Sequence, residues 1–133
     1  MRQSSKSTAP LHLPTEAELE ILNVLWDTGP STVRDVHEAL ANRGTGYTTV
    51  LKQMQVMAEK GLLVRSEEYR SHVYAPAIAR DRTQQRLARN LLDRAFAGSA
   101  AGLVLGALSA QKVSSDELAE IRRMLDEYEK ESR

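Results

Sequence analysis

The sequence has no cysteine in its 133 residues, which excludes disulfides and thiolate metal sites and fits a cytoplasmic chain. It also has no net charge. Eighteen Lys and Arg balance eighteen Asp and Glu, so any polyanionic partner must be met by a local arrangement of residues. Nor is there an apolar run of membrane length. The longest uncharged stretch, AFAGSAAGLVLGALSAQ from Ala95 to Gln111, falls short of the roughly 20 apolar residues a spanning helix needs and is rich in Gly, Ala and Ser. It reads as a buried helix, with no membrane insertion. The opening MRQSSKSTAPLHLP lacks the apolar core of a signal peptide, and residues 1–10 read as a flexible arm. At 41% hydrophobic and 27% charged, the chain can bury a core as one domain, or as a small domain with an appendage.

Helix signals then follow in order. Thr15 and Glu18 have the spacing of a capping box opening TEAELEILNVLWDTG, whose apolar stripe is read as Leu19, Leu22 and Leu25 or Trp26, with Gly29-Pro30 as the stop. Ser31 or Thr32 caps a second helix carrying Val33, Val36, His37 and Leu40, and Gly44 closes it. A third helix is expected from Tyr47 to about Lys60, ended by Gly61. From Leu62 to Pro76 the period shortens to two, with a polar middle at Glu67 to Ser71, which predicts a β-hairpin. Helix resumes from about Asp81 to Ala97, with Leu87, Leu91 and Ala95 in one lane. The glycine-rich segment, including Leu103, forms another helix. Ser114 and Glu117 open a last helix with the lane Leu118, Ile121, Leu125 and Tyr128. Three short helices and a hairpin followed by helices give a mainly α fold, a winged helix-turn-helix over residues 11–78 with a helical dimerisation region over 79–133.

The third helix carries the functional argument. Val50, Met54 and Met57 share its inward side, a methionine lane that reads as core. The opposite side shows Thr48, Thr49, Lys52 and Gln55, beside Tyr47 and with Val56 at the edge, and no acid before Glu59. A solvated face would mix Glu with Lys; a face entering the major groove needs donors, acceptors and a methyl contact, and cannot carry an acid toward phosphates. Solvation is the plain alternative reading. Around this helix, Ser31 and Thr32 at the second helix start offer hydroxyls and backbone N–H groups to a phosphate. Arg65, Arg70 and Ser71 in the hairpin offer wing contacts, diluted by Glu67 and Glu68.

Enzyme motifs fail on inspection. His37-Glu38-Ala39-Leu40-Ala41 begins like a helical zinc-protease motif, but Ala41 stands where the second histidine belongs. Gly44-Thr45-Gly46 joins two helices and reads as turn chemistry. His12, His37 and His72 are scattered with no nucleophile beside them. Neither cofactor nor metal is expected. Gly98, Gly102 and Gly106 repeat every four residues at about 1 kcal/mol each against alanine, which close helix approach at a dimer interface would offset; a loosely wound, protease-sensitive segment is the other explanation.

The runs LPTEAELEILNVLW, STVRDVHEAL, GYTTVLKQMQVMAEKGLLVR and SHVYAP resemble the penicillinase repressor family, the repressors of β-lactamase and methicillin-resistance genes and their copper-responsive relatives. The resemblance extends from about Leu13 to Glu129. It implies a homodimeric winged-helix repressor that binds a palindromic operator through the third helix and dimerises through the C-terminal helices. Leu87, Leu91, Leu103, Leu118, Ile121, Leu125 and Tyr128 are the candidate dimer contacts. In one branch, a membrane-bound sensor protease system triggers cleavage within the C-terminal domain. Two departures matter: the copper-binding cysteines are missing, and Gly106-Ala107 within LVLGALSAQ replaces the polar-aromatic pair cut in that branch. The competing class is a winged-helix protein-interaction module that never binds DNA.

Overall fold

A computed structural model describes residues 13–67 and 71–133. The expected N-terminal arm therefore lies outside the described residues, as does Arg70. The elements are α1 (Glu16–Thr28), α2 (Val33–Ala39), a 3-10 turn (Ala41–Arg43), α3 (Tyr47–Glu59), β1 (Leu63–Ser66), β2 (Val73–Pro76), α4 (Arg80–Ala95), α5 (Ala100–Ala110) and α6 (Ser115–Glu131). The chain forms two compact units, one ending at Ala88 and one spanning Arg89–Arg133. The division falls inside α4, beyond the expected boundary between residues 78 and 79.

In the first unit, local chemistry fixes the helix starts. Thr15 accepts from the Glu18 N–H at 3.2 Å while Glu18 Oε1 accepts from the Thr15 N–H at 2.9 Å, so both ends of the capping box are closed. Thr32 and Asp35 repeat the device at α2. The core joins Ile21, Leu22 and Leu25 of α1, Val33 and Val36 of α2, Val50, Met54 and Met57 of α3, then Leu62, Leu63 and Tyr74. The expected α1 stripe is corrected by one position. Its inward lane runs through Glu18, Ile21, Leu22 and Leu25, whereas Leu19 and Trp26 are only partly buried at the core edge. Glu18 can occupy that lane because Lys60 Nζ donates to its Oε2 at 2.7 Å, tying the first turn of α1 to the residue that ends α3.

The hairpin pairs Leu63 with Pro76, Val64 with Ala75, Arg65 with Tyr74 and Ser66 with Val73. A third, single-residue strand lies on its other side. Ser31 N–H donates to the Tyr74 carbonyl at 3.0 Å and the Tyr74 N–H returns to the Ser31 carbonyl at 2.8 Å, anchoring the hairpin beside the start of α2. The start of α4 is held against α1: the Trp26 Nε1–H donates to the Ile78 carbonyl at 3.1 Å, and Arg80 stacks over the Trp26 ring while pairing with Asp27.

The second unit is built differently. Ser99 caps α5 by accepting from the Gly102 N–H, and Ser114 caps α6 by accepting from the Glu117 N–H. None of its residues is buried. The expectation of a buried helix over Ala95 to Gln111 is therefore corrected. Val104 and Leu105 on α5 are 46% and 66% exposed, because so few helical turns in one chain cannot enclose a core. The glycine repeat also has an explanation inside the chain. Gly98 takes φ +79° and its N–H closes α4 on the Leu92 carbonyl at 2.9 Å. At Gly106 an added Cβ would lie 3.3 Å from Phe96 Cε1, so this glycine makes room for the Phe96 ring against α5, whereas at Gly102 the tight neighbour is the capping Ser99 Oγ at 3.2 Å.

Candidate nucleic-acid interface

Helix α3 separates cleanly into two sides. Val50, Met54 and Met57 are fully buried, whereas Tyr47, Thr48, Thr49, Lys52, Gln55 and Val56 are exposed. Among the described residues no ion pair or side-chain hydrogen bond engages Thr48, Thr49, Lys52 or Gln55, so their polar groups are directed to an outside partner or to water. Tyr47 meets His37 of α2 edge to face at 5.8 Å between ring centroids, which braces the first turn of α3.

The start of α3 is also distinctive. Thr15, Thr32, Ser99 and Ser114 cap α1, α2, α5 and α6, but Gly46 offers α3 no side chain and its first turn holds no acid. Among the described residues the backbone N–H groups of Tyr47, Thr48 and Thr49 are thus left without an acceptor, ahead of the Val50 N–H that bonds to Gly46. Three free donors at the positive end of a helix favour an anion.

At the α2 start the two expected residues part company. Ser31 is buried: its backbone is paired with Tyr74 and its hydroxyl donates to the Gly29 carbonyl at 2.9 Å, so it has no group left for DNA. This corrects its assignment as a contact. Thr32 is half-buried, and its hydroxyl accepts from the Asp35 N–H at 3.1 Å while Asp35 Oδ2 accepts from the Thr32 N–H at 3.1 Å. Among the described residues nothing accepts from the N–H groups of Val33 and Arg34 in that turn.

Two surface grooves flank α3. One, of about 470 Å³, is lined by Thr32, Val33 and Arg34 of the α2 start, Tyr47 and Leu51 of α3, and Ser71, His72 and Tyr74 of the hairpin. It brings together Thr32, Tyr47 and Ser71, three candidate DNA contacts, with Arg34 and His72, which are not among the candidates. No local spacing signals that both line one groove, because the Ser31–Tyr74 bridge is what sets the hairpin beside the start of α2. The second groove is lined by Gln55, Ala58 and Glu59 of α3 with Leu63 and Arg65 of β1. It places Arg65 beside Gln55. The Arg65–Glu67 separation of 3.9 Å between two exposed groups is too weak to hold the guanidinium away from a phosphate.

The candidate dimer residues are all partly or largely open in the single chain. Leu87, Leu103, Leu118 and Ile121 are half-buried, Leu91 is exposed, and Leu125 and Tyr128 are 60% and 73% exposed. Positions 118, 121, 125 and 128 alternate steps of three and four along α6, the spacing of a helix-pairing seam. Gly106 and Ala107 lie in the second half of α5.

The chain matches the penicillinase repressor family over residues 14–127. It is 36% identical over 118 residues to the transcriptional regulator BlaI of Mycobacterium tuberculosis, covering 86% of this chain and 83% of that protein. It is 26% identical over 115 residues to the penicillinase repressor of Bacillus licheniformis, covering 86% and 90%. The methicillin resistance regulatory protein MecI of Staphylococcus aureus is 20% identical over 113 residues, covering 84% and 92%.

Proposed function

Because the chain belongs to the penicillinase repressor family, and is thereby a DNA-binding transcriptional repressor and not an enzyme, we propose that it acts as a homodimer on a palindromic operator and reads it with the outward face of α3. The observation that carries this reading is the acid-free, unpartnered row Thr48, Thr49, Lys52 and Gln55, set ahead of a fully buried opposite side. Lys52 supplies charge; Gln55 can bond an adenine edge in bidentate fashion and Val56 can touch a thymine methyl. The open N–H groups at the α3 start take a phosphate, while Arg65 and Ser71 of the hairpin and Thr32 of α2 contact the backbone on either side. Arg70 belongs to this proposal by its place in the sequence.

Dimerisation is supported by the second unit, where no residue is buried and the α6 lane of Leu118, Ile121, Leu125 and Tyr128 is uncovered. A partner copy would bury that lane together with Leu91 and Leu103. Joining two reading units raises overall affinity by roughly 10² to 10⁴, so separating them releases the operator. A membrane-bound sensor protease system cutting at Gly106-Ala107 would do so by dividing α5 and detaching α6; new chain ends at that bond in induced cells are the corresponding observation. Among the described residues, no single helix is long and apolar enough to cross a membrane.

The test uses a labelled duplex selected from a random pool by the unmodified chain. Lys52→Ala should weaken binding and lower the slope of log Kd against log salt by about one, and Gln55→Ala should change base preference, each base contact being worth about 1 to 3 kcal/mol. Unchanged binding by both variants would remove α3 as the reader. A chain that enriches and binds no duplex would instead favour the protein-interaction reading.

A further inference from the structure

The groove between the α2 start, the first turn of α3 and the hairpin combines features that the α3 face alone does not require. Arg34 and His72 both line it, and neither has an ion pair or side-chain hydrogen bond among the described residues. Both are exposed. Among the described residues the other ionisable lining groups are the phenols of Tyr47 and Tyr74, with no carboxylate; Asp35 is instead engaged in the α2 cap. An opening of about 470 Å³ that presents one permanent cation, one imidazole and the Thr32 and Ser71 hydroxyls suits a single tetrahedral dianion or diester oxygen pair. In a helix-turn-helix, the helix before the reading helix crosses the nucleic-acid backbone, which brings the start of α2 to a phosphate and not to a base edge.

We propose that Arg34 and His72 together grip one operator phosphate in this groove, and that operator affinity is consequently proton-dependent through His72. This rests on the DNA-reading assignment of α3. Arg34 contributes at every pH, since a guanidinium keeps its proton. An imidazole donates two N–H groups and carries a positive charge only when protonated, so its hold on a phosphate strengthens as pH falls. The contact positions the duplex without reading sequence. It should strengthen binding to every duplex that reaches the groove, selected or random.

The test measures fluorescence anisotropy of the selected duplex and of a random duplex with the full chain, Arg34→Ala, His72→Gln and Lys52→Ala, from pH 5.5 to 8 and across a salt series. For the full chain, affinity should increase roughly three- to ten-fold from pH 8 to pH 5.5, within the range of a charge-assisted contact at a partly exposed site. His72→Gln should remove most of the pH dependence, and to the same extent for both duplexes. Arg34→Ala should lower the salt slope by about one at pH 8 and weaken both duplexes alike. If the full chain selects and binds a duplex, Lys52→Ala weakens it, and yet His72→Gln keeps the parental pH profile and Arg34→Ala the parental salt slope, the groove assignment is overturned while the α3 reading stands. A full chain that binds no duplex overturns both.

Discussion

Lys60 ends α3, and its ammonium bonds the Glu18 carboxylate at 2.7 Å. The two side chains differ in exposure, 10% for Glu18 and 46% for Lys60, so their pairing lies between a surface ion pair worth about 0 to 1 kcal/mol and a buried one whose disruption costs about 3 to 5 kcal/mol. A coupling of about 1.5 kcal/mol follows. Burial alone would push the Glu18 carboxyl up; the hydrogen bond and charge of Lys60 and the Thr15 N–H outweigh it, so the group titrates below its ordinary value of 4.5. With the folded value depressed, the stabilisation is complete above the unfolded value and is lost as pH falls through the folded one. The cycle is Glu18→Gln, which keeps an acceptor for the Thr15 N–H, Lys60→Met, and the double variant. Urea unfolding followed by the fluorescence of Trp26, the sole tryptophan, would be run at pH 7 and pH 4 and one fixed protein concentration, because association shifts the midpoint. The coupling should be about 1.5 kcal/mol at pH 7 and distinctly smaller at pH 4. A coupling below about 0.3 kcal/mol at pH 7, or one unchanged by pH, would refute the reasoning.

Other outcomes follow from single observations. Thr32→Val removes the hydroxyl that caps α2 and should cost about 1 kcal/mol in urea unfolding, with an affinity loss that is even across duplex sequences; a loss limited to particular base pairs would contradict its backbone role. Ala97 has φ +49°, so Ala97→Gly should raise stability by about 1 kcal/mol, and a lower unfolding midpoint would show that the left-handed conformation is not strained. Gly106→Leu should displace the Phe96 ring, which an added Cβ would approach to 3.3 Å, and lower stability of the second unit. An unchanged near-UV spectrum and midpoint would count against that packing.

The parts of this fold that were legible in the sequence are those whose causes are local. The Thr15–Glu18 box, the span of α3, the period-two hairpin and the Ser114 start of α6 each depend on residues within a few positions, and each is present. The misreadings involve partners distant in the chain. Glu18 is tolerated in the core-facing lane of α1 because Lys60 meets it, and that lane passes through Ile21 and not Leu19. Ser31 looked like a free cap until Tyr74 paired with its backbone. The same bridge brings His72 and Arg34 to one groove, a placement that no spacing along the chain announces. For the apolar stretch around α5, composition suggested burial, but one chain supplies too little neighbouring structure to cover it.

The most direct test of a dimeric reader is selection from a random duplex pool by the full chain and by a chain ending at Leu105, with sedimentation of both. The full chain should sediment as a dimer and enrich an inverted repeat whose half-sites lie about 10 base pairs apart or a multiple of that. The shortened chain, lacking the seam of Leu118, Ile121, Leu125 and Tyr128, should sediment as a monomer and lose roughly 10² to 10⁴ in affinity for that repeat. A full chain that enriches no inverted repeat, or a shortened chain that remains dimeric and binds as tightly, would contradict the account.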